Sequence, residues 1–252
     1  MKPCWLDFRS EAAFAAGHVP GSAHFSWPAL RLLQNALPAP HVGTLHLMEP
    51  PSDAVDWLRA KGYAVQLHDW SAWTGPVEMG SDSARLWQPT PALQQWLEEG
   101  TLPVGRALDL GCGGGRDAVW LAMQGWSVTA IDREARALAR AEALARHEGV
   151  VVDFRACNLR QPDCMPTDPF DLVLMVRMHL PELFETMASR LASGGHVFVL
   201  CFHPDASKPA AAAHKATPEQ LQRGFAALTP ITAKIIQSSD GRPMSLYIGR
   251  KP

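Results

Sequence analysis

Between Asp109 and Asp132 the chain carries residues whose types and spacing suit the binding of a charged small molecule: DLGCGGGRDAVWLAMQGWSVTAID. An apolar run, Ala107–Leu110, leads into Gly111-Cys112-Gly113-Gly114-Gly115, and a helical pattern opens at Arg116. Glycines let a ligand approach the backbone closely, and the N-terminus of the helix that follows favours an anionic group. Asp132 closes a second apolar run about 20 residues beyond the loop, where a carboxylate can accept hydrogen bonds from the two hydroxyls of a ribose.

Two cofactor classes use such a layout. A dinucleotide fingerprint, G-x-G-x-x-G, fails at its last position, which is Arg116 when counted from Gly111. The alternative pattern, G-x-G-x-G through Gly111, Gly113 and Gly115 with Asp109 two residues ahead, is complete. It resembles the first motif of class I S-adenosylmethionine-dependent methyltransferases. That resemblance implies a loop holding the methionine end of S-adenosylmethionine, with backbone N–H groups meeting its carboxylate and an acid suiting its amino group. It also implies cofactor contacts from Asp109, Gly111, Cys112, Gly113, Gly115, Asp132, Arg133, Asn158, Leu159 and Val176. Asn158 can offer its carbonyl to the adenine amine or cap its own turn.

Within that superfamily the chain is similar to small-molecule enzymes of the tellurite-resistance and thiopurine type. Arg85-Leu86-Trp87-Gln88-Pro89, GCGGGRDAVWLA at 111–122 and Arg177 carry the likeness, over roughly residues 84–202. Met178 and His179 depart from the family, which tends to have an aromatic after the arginine. Methyl transfer from a sulfonium is an in-line displacement, so the main task is to align the reactants and exclude water. A thiolate or chalcogen anion needs no general base. An oxygen or nitrogen nucleophile would look to His179 or His203, and Arg177 suits either an anionic substrate or an ion pair. Arg177 and His179 are therefore the catalytic candidates. No Asn/Asp-Pro-Pro-aromatic motif and no acid cluster follows FDLVLMV, which disfavours N-methylation of that type and a metal-dependent mechanism.

These residues need a scaffold. Short apolar runs alternate with helical patterns throughout, which predicts α/β architecture with mainly parallel strands. CWLDF, TLHLM and AVQLHDW read as strands in the first part, with helices at EAAFAAG, PALRLLQNAL and SDAVDWLRAKG; the first and last of these end at glycines suited to C-terminal caps. TGPVEMGSDSA has the composition of a joint. RALDLG, SVTAID, VVDFRAC, FDLVLMV and GHVFVLCF follow as strands. A capping box at Thr217–Gln220 opens a helix, and Asp240-Gly241 joins the last two strands as a hairpin. The expected organisation is a domain at 1–76, a linker at 77–84 and a Rossmann-like methyltransferase domain at 85–252, whose seven-stranded sheet ends in an antiparallel hairpin.

The first domain resembles the rhodanese family through Trp5-Leu6-Asp7-Phe8-Arg9, Glu11–Phe14, Gly17-His18-Val19-Pro20-Gly21-Ser22-Ala23, Lys61-Gly62-Tyr63 and Asp69–Trp73. Sulfur transfer in that family needs a cysteine after the central strand, in a loop of N–H donors. Here Glu49 stands in that place, and Pro50 and Pro51 remove two donors. The resemblance thus implies the fold without the activity, and a role in capping or in recognising a protein partner or substrate.

Composition bounds the alternatives. The 252 residues carry 23 basic and 25 acidic side chains, a formal charge of −2 with no basic stripe, which disfavours a nucleic-acid partner. No apolar run approaches the roughly 20 residues that span a bilayer, and the N-terminus lacks a signal-peptide pattern, so a cytoplasmic location is expected. Five scattered cysteines without a C-x-x-C pair predict free thiols and no metal site. The competing function is a non-catalytic S-adenosylmethionine-binding sensor or scaffold; oligomeric state is left open.

Overall fold

The computed structural model describes residues 3–100 and 102–252. They form two compact units, Met1–Gln88 and Pro89–Pro252.

The first unit is built on four parallel strands, β1 (Cys4–Asp7), β2 (Ser22–His24), β3 (Leu45–Met48) and β4 (Val65–His68), in the order β2-β1-β3-β4. Helix α1 (Glu11–Ala16) is capped by the Ser10 side chain, and α2 (Ser52–Ala60) starts directly after Pro51. The segment 28–37, expected as one helix, instead makes two short 3₁₀ turns, Ala29–Arg31 and Gln34–Ala36. Its buried residues are Leu30, Leu33, Ala36 and Leu37, and the first three recur every third position, the period that eclipses side chains on a 3₁₀ turn. Gly17 caps the C-terminus of α1 as expected, in extended conformation and with its N–H donating to Phe14 O at 3.0 Å. Asp7 is 1% exposed and satisfied by Arg9, whose backbone N–H and guanidinium both donate to it while the guanidinium stacks on Trp70.

The stretch expected as a linker is part of this unit. Residues 78–84 lie along it: His18 and Glu78 exchange backbone bonds at 2.8 Å, Gly80 N–H donates to Ala15, and Ala84 N–H to Ser22. Trp87, 3% exposed, is likewise grouped with the first unit, so the boundary falls at Gln88/Pro89, twelve residues beyond the first domain's expected end at 76.

The second unit opens with α3 (Pro91–Glu99) and continues with β5 (Arg106–Leu110), α4 (Arg116–Met123), β6 (Ser127–Asp132), α5 (Ala135–His147) and β7 (Asp153–Ala156). Then come β8 (Phe170–Val176), α6 (Phe184–Ser189), β9 (Leu191–Phe202), α7 (Pro218–Gly224), β10 (Thr229–Gln237) and β11 (Pro243–Arg250). The sheet order is β10-β11-β9-β8-β5-β6-β7, with β7, β6, β5, β8 and β9 parallel and β11 antiparallel to both neighbours. Central strands are apolar on both faces because helices cover both, and Leu108, Leu110, Val173, Met175, Val197 and Val199 are buried in one core. The capping box at Thr217 and Gln220 and the hairpin between β10 and β11 form as their motifs predict.

Candidate active site

The glycine loop leaves the C-terminal end of β5, between β8 and β6, where ligands bind in doubly wound sheets. Most of its amides are engaged within the protein. Gly111 and Cys112 N–H both donate to Ile131 O, at 2.8 and 3.1 Å. Gly113 N–H donates to Asp132 Oδ2 at 2.8 Å and Gly115 N–H to Cys112 O at 2.9 Å. The expectation that loop amides meet a ligand carboxylate is corrected for these four, which fasten the loop internally and to the end of β6.

Two glycines serve different purposes. At Gly115 (φ +77°) a Cβ would stand 2.6 Å from Ala141 Cβ and 3.1 Å from Ala141 Cα, so this glycine allows α4 to start close against α5. At Gly113 (φ +54°) a Cβ would meet nothing within 4 Å, which leaves an open face on the loop. Beside them, the Met178 side chain lies against Gly111, 2.6 Å from where a Cβ would be, and so fixes the end of β8 next to the loop.

Three carboxylates surround this loop. Asp109 is 2% exposed; burial first, then the charges of Asp117 and Asp132, push its carboxyl well above the usual range. Asp117, in the first turn of α4, accepts from Thr90 N–H at 2.6 Å and from the Thr90 hydroxyl at 2.8 Å. Burial still raises its pKa, against those bonds and the nearby charges of Arg177 and Arg116. Asp132 accepts from Gly113 N–H and, at 2.8 Å, from Glu134 N–H. Gathering three acids in one place is unfavourable unless a cation arrives, so the arrangement suits a positively charged ligand. Cys112 is no nucleophile there, since burial and then Asp109 and Asp132 drive its thiol pKa up.

The remaining candidates are spread around the strand ends. Arg133 is exposed, Val176 pairs with Leu200 at the end of β8, and Leu159 is packed in the core. Asn158 Oδ1 accepts from Arg160 N–H at 3.2 Å, so its side chain caps its own turn. Arg177 takes a left-handed conformation, φ +58°, with its N–H 2.6 Å from Leu200 O. His179 Nδ1 lies 3.0 Å from Ala213 O, and its ring meets Phe184 edge-on. His203, 8% exposed, has Nδ1 3.3 Å from Asp205 Oδ2 and 3.2 Å from Asp205 N–H. Among the described residues no group of three or more His, Cys, Asp or Glu could hold a metal ion, and no helix is long and apolar enough to cross a membrane.

Two features were missed from the sequence. Thr90 and Asp117 meet only through the fold, although Asp117 stands two residues after the glycine loop. Cys157 and Cys164 are joined in a disulfide, which corrects the expectation of free thiols. The turn after β7 brings their Cα atoms to 5.8 Å, within the range that a disulfide spans.

The seven-strand order around the glycine loop is that of Rossmann-like methyltransferases. Residues 107–195 match the model of the methyltransferase domain family. A curated relative, ubiquinone biosynthesis O-methyltransferase from Marinobacter nauticus, is 32% identical over 138 residues, 46% of this chain and 57% of that protein. The chain spans a little over half the length of such relatives. Among solved structures, an S-adenosylmethionine-dependent methyltransferase from Methanosarcina mazei aligns with a TM-score of 0.52 at 19% identity, over 65% of this chain and 98% of that one. The N-methyltransferase NodS from Bradyrhizobium japonicum, in complex with S-adenosylhomocysteine, aligns with a TM-score of 0.51 at 23% identity, over 64% and 83%. These two likenesses are of fold. The second unit therefore carries an S-adenosylmethionine-dependent methyltransferase domain, with S-adenosylmethionine as its cofactor. The site fits that cofactor: Gly113 leaves its face open, and the acids complement a ligand bearing ammonium and sulfonium charges.

Proposed function

We propose that the chain methylates a small-molecule nucleophile, with Arg177 receiving an anionic acceptor at the end of β8. S-adenosylmethionine supplies an electrophilic methyl group on a positively charged sulfur. Asp132, already oriented by two backbone donors, takes the ribose hydroxyls. Asp109 and Asp117 lie at the methionine end, where the positive charge of the cofactor favours their ionised forms, and Asn158 and Leu159 border the adenine. Arg177 and Met178 lie where β8 ends beside the loop, so an acceptor bound by the guanidinium stands close to the methyl group. The observation that carries this reading is that pairing of Met178 with Gly111, which ties the exposed arginine to the cofactor loop.

The curated relatives are named for O-methylation, which supports an oxygen nucleophile alongside the thiol or chalcogen suggested by the sequence. An oxygen acceptor needs its proton removed. His179 is the nearer candidate in sequence, with one ring nitrogen facing Ala213 O. The test is a panel of phenols, thiols, sulfide, selenite and tellurite, read as S-adenosylhomocysteine formation; no turnover above the no-acceptor rate with any of them would overturn the small-molecule reading.

For the first unit we infer a rhodanese-like fold without sulfur transfer. Its parallel four-stranded sheet and the buried Asp7–Arg9 pair support the fold. Glu49, exposed and left-handed at φ +46°, followed by Pro50 and Pro51, supports the loss of chemistry.

A further inference from the structure

The two sulfurs beyond β7 take no part in the proposed reaction, yet the ring they close is built onto the cofactor site. Cys157 and Cys164, seven positions apart, are joined in a disulfide. Cys157 N–H donates to Asp132 O at 3.0 Å, and the Asp132 carboxylate is the one held by Gly113 and Glu134 N–H. The ring therefore begins on the backbone of the residue given to the ribose, and it contains Asn158 and Leu159, the residues given to the adenine. Farther round, Arg160 Nε donates to Glu182 Oε1 at 3.0 Å, which ties the ring to the turn Pro181–Leu183 after β8. Its own backbone bonds are those of short turns: Gln161 N–H to Asn158 O at 2.8 Å and Cys164 N–H to Gln161 O at 3.2 Å. Leu159 and Cys164 are buried in the core, whereas Asn158, Arg160, Gln161, Pro162 and Asp163 are exposed. A segment with few buried contacts opens at low free-energy cost, so the covalent link is what keeps this side of the ring in one place. The two sulfurs also differ in access: Cys157 is partly exposed and Cys164 is 5% exposed, so an incoming thiolate reaches Cys157 first.

We propose that Cys157 and Cys164 form a reversible thiol–disulfide site that sets the affinity for S-adenosylmethionine: the disulfide holds the ring ready for ribose and adenine, and reduction loosens it. This rests on the placing of the cofactor above and adds its regulation. The electrons come from a dithiol. One of its thiolates attacks Cys157 Sγ, the bond between the two cysteine sulfurs breaks, and Cys164 leaves as a thiolate that takes up a proton. The second thiolate of the dithiol then attacks its own partner sulfur in the mixed disulfide. The dithiol closes into a cyclic disulfide, and Cys157 is released and protonated. Two electrons and two protons have passed from the dithiol to the protein, and an oxidising small-molecule disulfide reverses the change. A loosened ring must be ordered again when the cofactor binds, and that ordering cost lowers the affinity. Coupling of this kind is reciprocal, so bound S-adenosylmethionine favours the disulfide by the same factor.

The experiment uses the full chain and needs no knowledge of the methyl acceptor. Calorimetric titration with S-adenosylmethionine is run on the unaltered protein and on Cys157→Ser/Cys164→Ser, each after glutathione disulfide and after dithiothreitol. The temperature is one at which circular dichroism shows every form folded, and alkylation with peptide mass spectrometry reads the state of the pair. Reduction of the unaltered protein should raise the dissociation constant about fivefold or more. The double variant should show the weaker constant under both conditions, which separates this pair from Cys112 in the glycine loop. In buffers of fixed dithiothreitol thiol-to-disulfide ratio, saturating S-adenosylmethionine should raise the disulfide-to-dithiol ratio of the pair by the same factor. Equal affinity of the oxidised and reduced protein, a dithiothreitol effect that persists in the double variant, or failure of the pair to oxidise overturns the proposal and leaves the methyltransferase reading intact. Failure to bind S-adenosylmethionine in either redox state overturns both.

Discussion

Replacing Gly113 and Gly115 one at a time by alanine separates a glycine that serves the ligand from one that serves the fold. Both are left-handed, at φ +54° and +77°, so each substitution costs about 1–2 kcal/mol of backbone strain. At Gly115 the added methyl also meets Ala141 Cβ at 2.6 Å and Ala141 Cα at 3.1 Å. Backbone on a neighbouring helix cannot rotate away, and overpacking of this kind costs a further 1–3 kcal/mol or so. The total for Gly115→Ala is about 2–5 kcal/mol, and a domain of this size loses about 2–4 °C per kcal/mol. The calorimetric transition of the Pro89–Pro252 unit should therefore fall by about 4–20 °C. At Gly113 nothing lies within 4 Å, so the transition should fall by no more than about 8 °C. Binding should show the reverse order. A methyl on the open face takes up room needed by the cofactor, and Gly113→Ala should weaken S-adenosylmethionine binding at least tenfold, about 1.4 kcal/mol or more, by isothermal titration. Equal melting of the two variants would refute the packing account of Gly115. Unaltered affinity in Gly113→Ala would refute the assignment of the open face to the ligand.

Asp109→Asn should stabilise the ligand-free protein at neutral pH. The native structure favours the neutral acid, so the stabilising effect of Asp109 is complete below the unfolded carboxyl pKa of about 4 and is lost as pH rises through the raised native value. Urea melts at pH 5 and 8 should show a smaller drop across that interval in the variant, and identical drops would contradict the burial argument. Asp132→Asn removes a charged acceptor of ribose hydrogen bonds and should raise the dissociation constant for S-adenosylmethionine about 10- to 100-fold, with an unchanged constant in calorimetry counting against the ribose role. Dithiothreitol should open the Cys157–Cys164 ring, and chain-entropy reasoning for a loop of this length gives a loss of about 2.5 kcal/mol. Melting that is indifferent to reductant, together with alkylation of Cys157 and Cys164 themselves under non-reducing conditions, would refute the disulfide.

The second unit was largely legible because its signals are local. Strand RALDL, the glycines, a helix starting at Arg116 and Asp132 at the next strand end follow one another without interruption. What could not be read were pairings made by the fold. Thr90 and Asp117 are brought together across α3 and α4, and the fate of the loop amides depends on Ile131, a residue of the neighbouring strand. Cys157 and Cys164 lie close in sequence, but only the turn after β7 decides whether their side chains converge. In the first unit, apolar spacing in PALRLLQNAL fits both a helix and successive 3₁₀ turns, and Pro28 with Pro38 leaves little length for the former. The composition of residues 77–84 suggested a joint, yet backbone bonds to Ala15, His18 and Ser22 fasten the segment along the first unit.

The position of β11 has a consequence for biosynthesis. It is paired on both sides, with β9 and β10, and its Tyr247 is fully buried against Phe225. During synthesis β10 emerges before the strand that must attach it to the sheet. Until residues 243–250 arrive, the flank of β9 is a bare row of peptide groups, and Ile231 and Ile235 on β10 are half exposed even in the finished protein. Nascent chains halted inside the hairpin would thus present a sticky edge to one another.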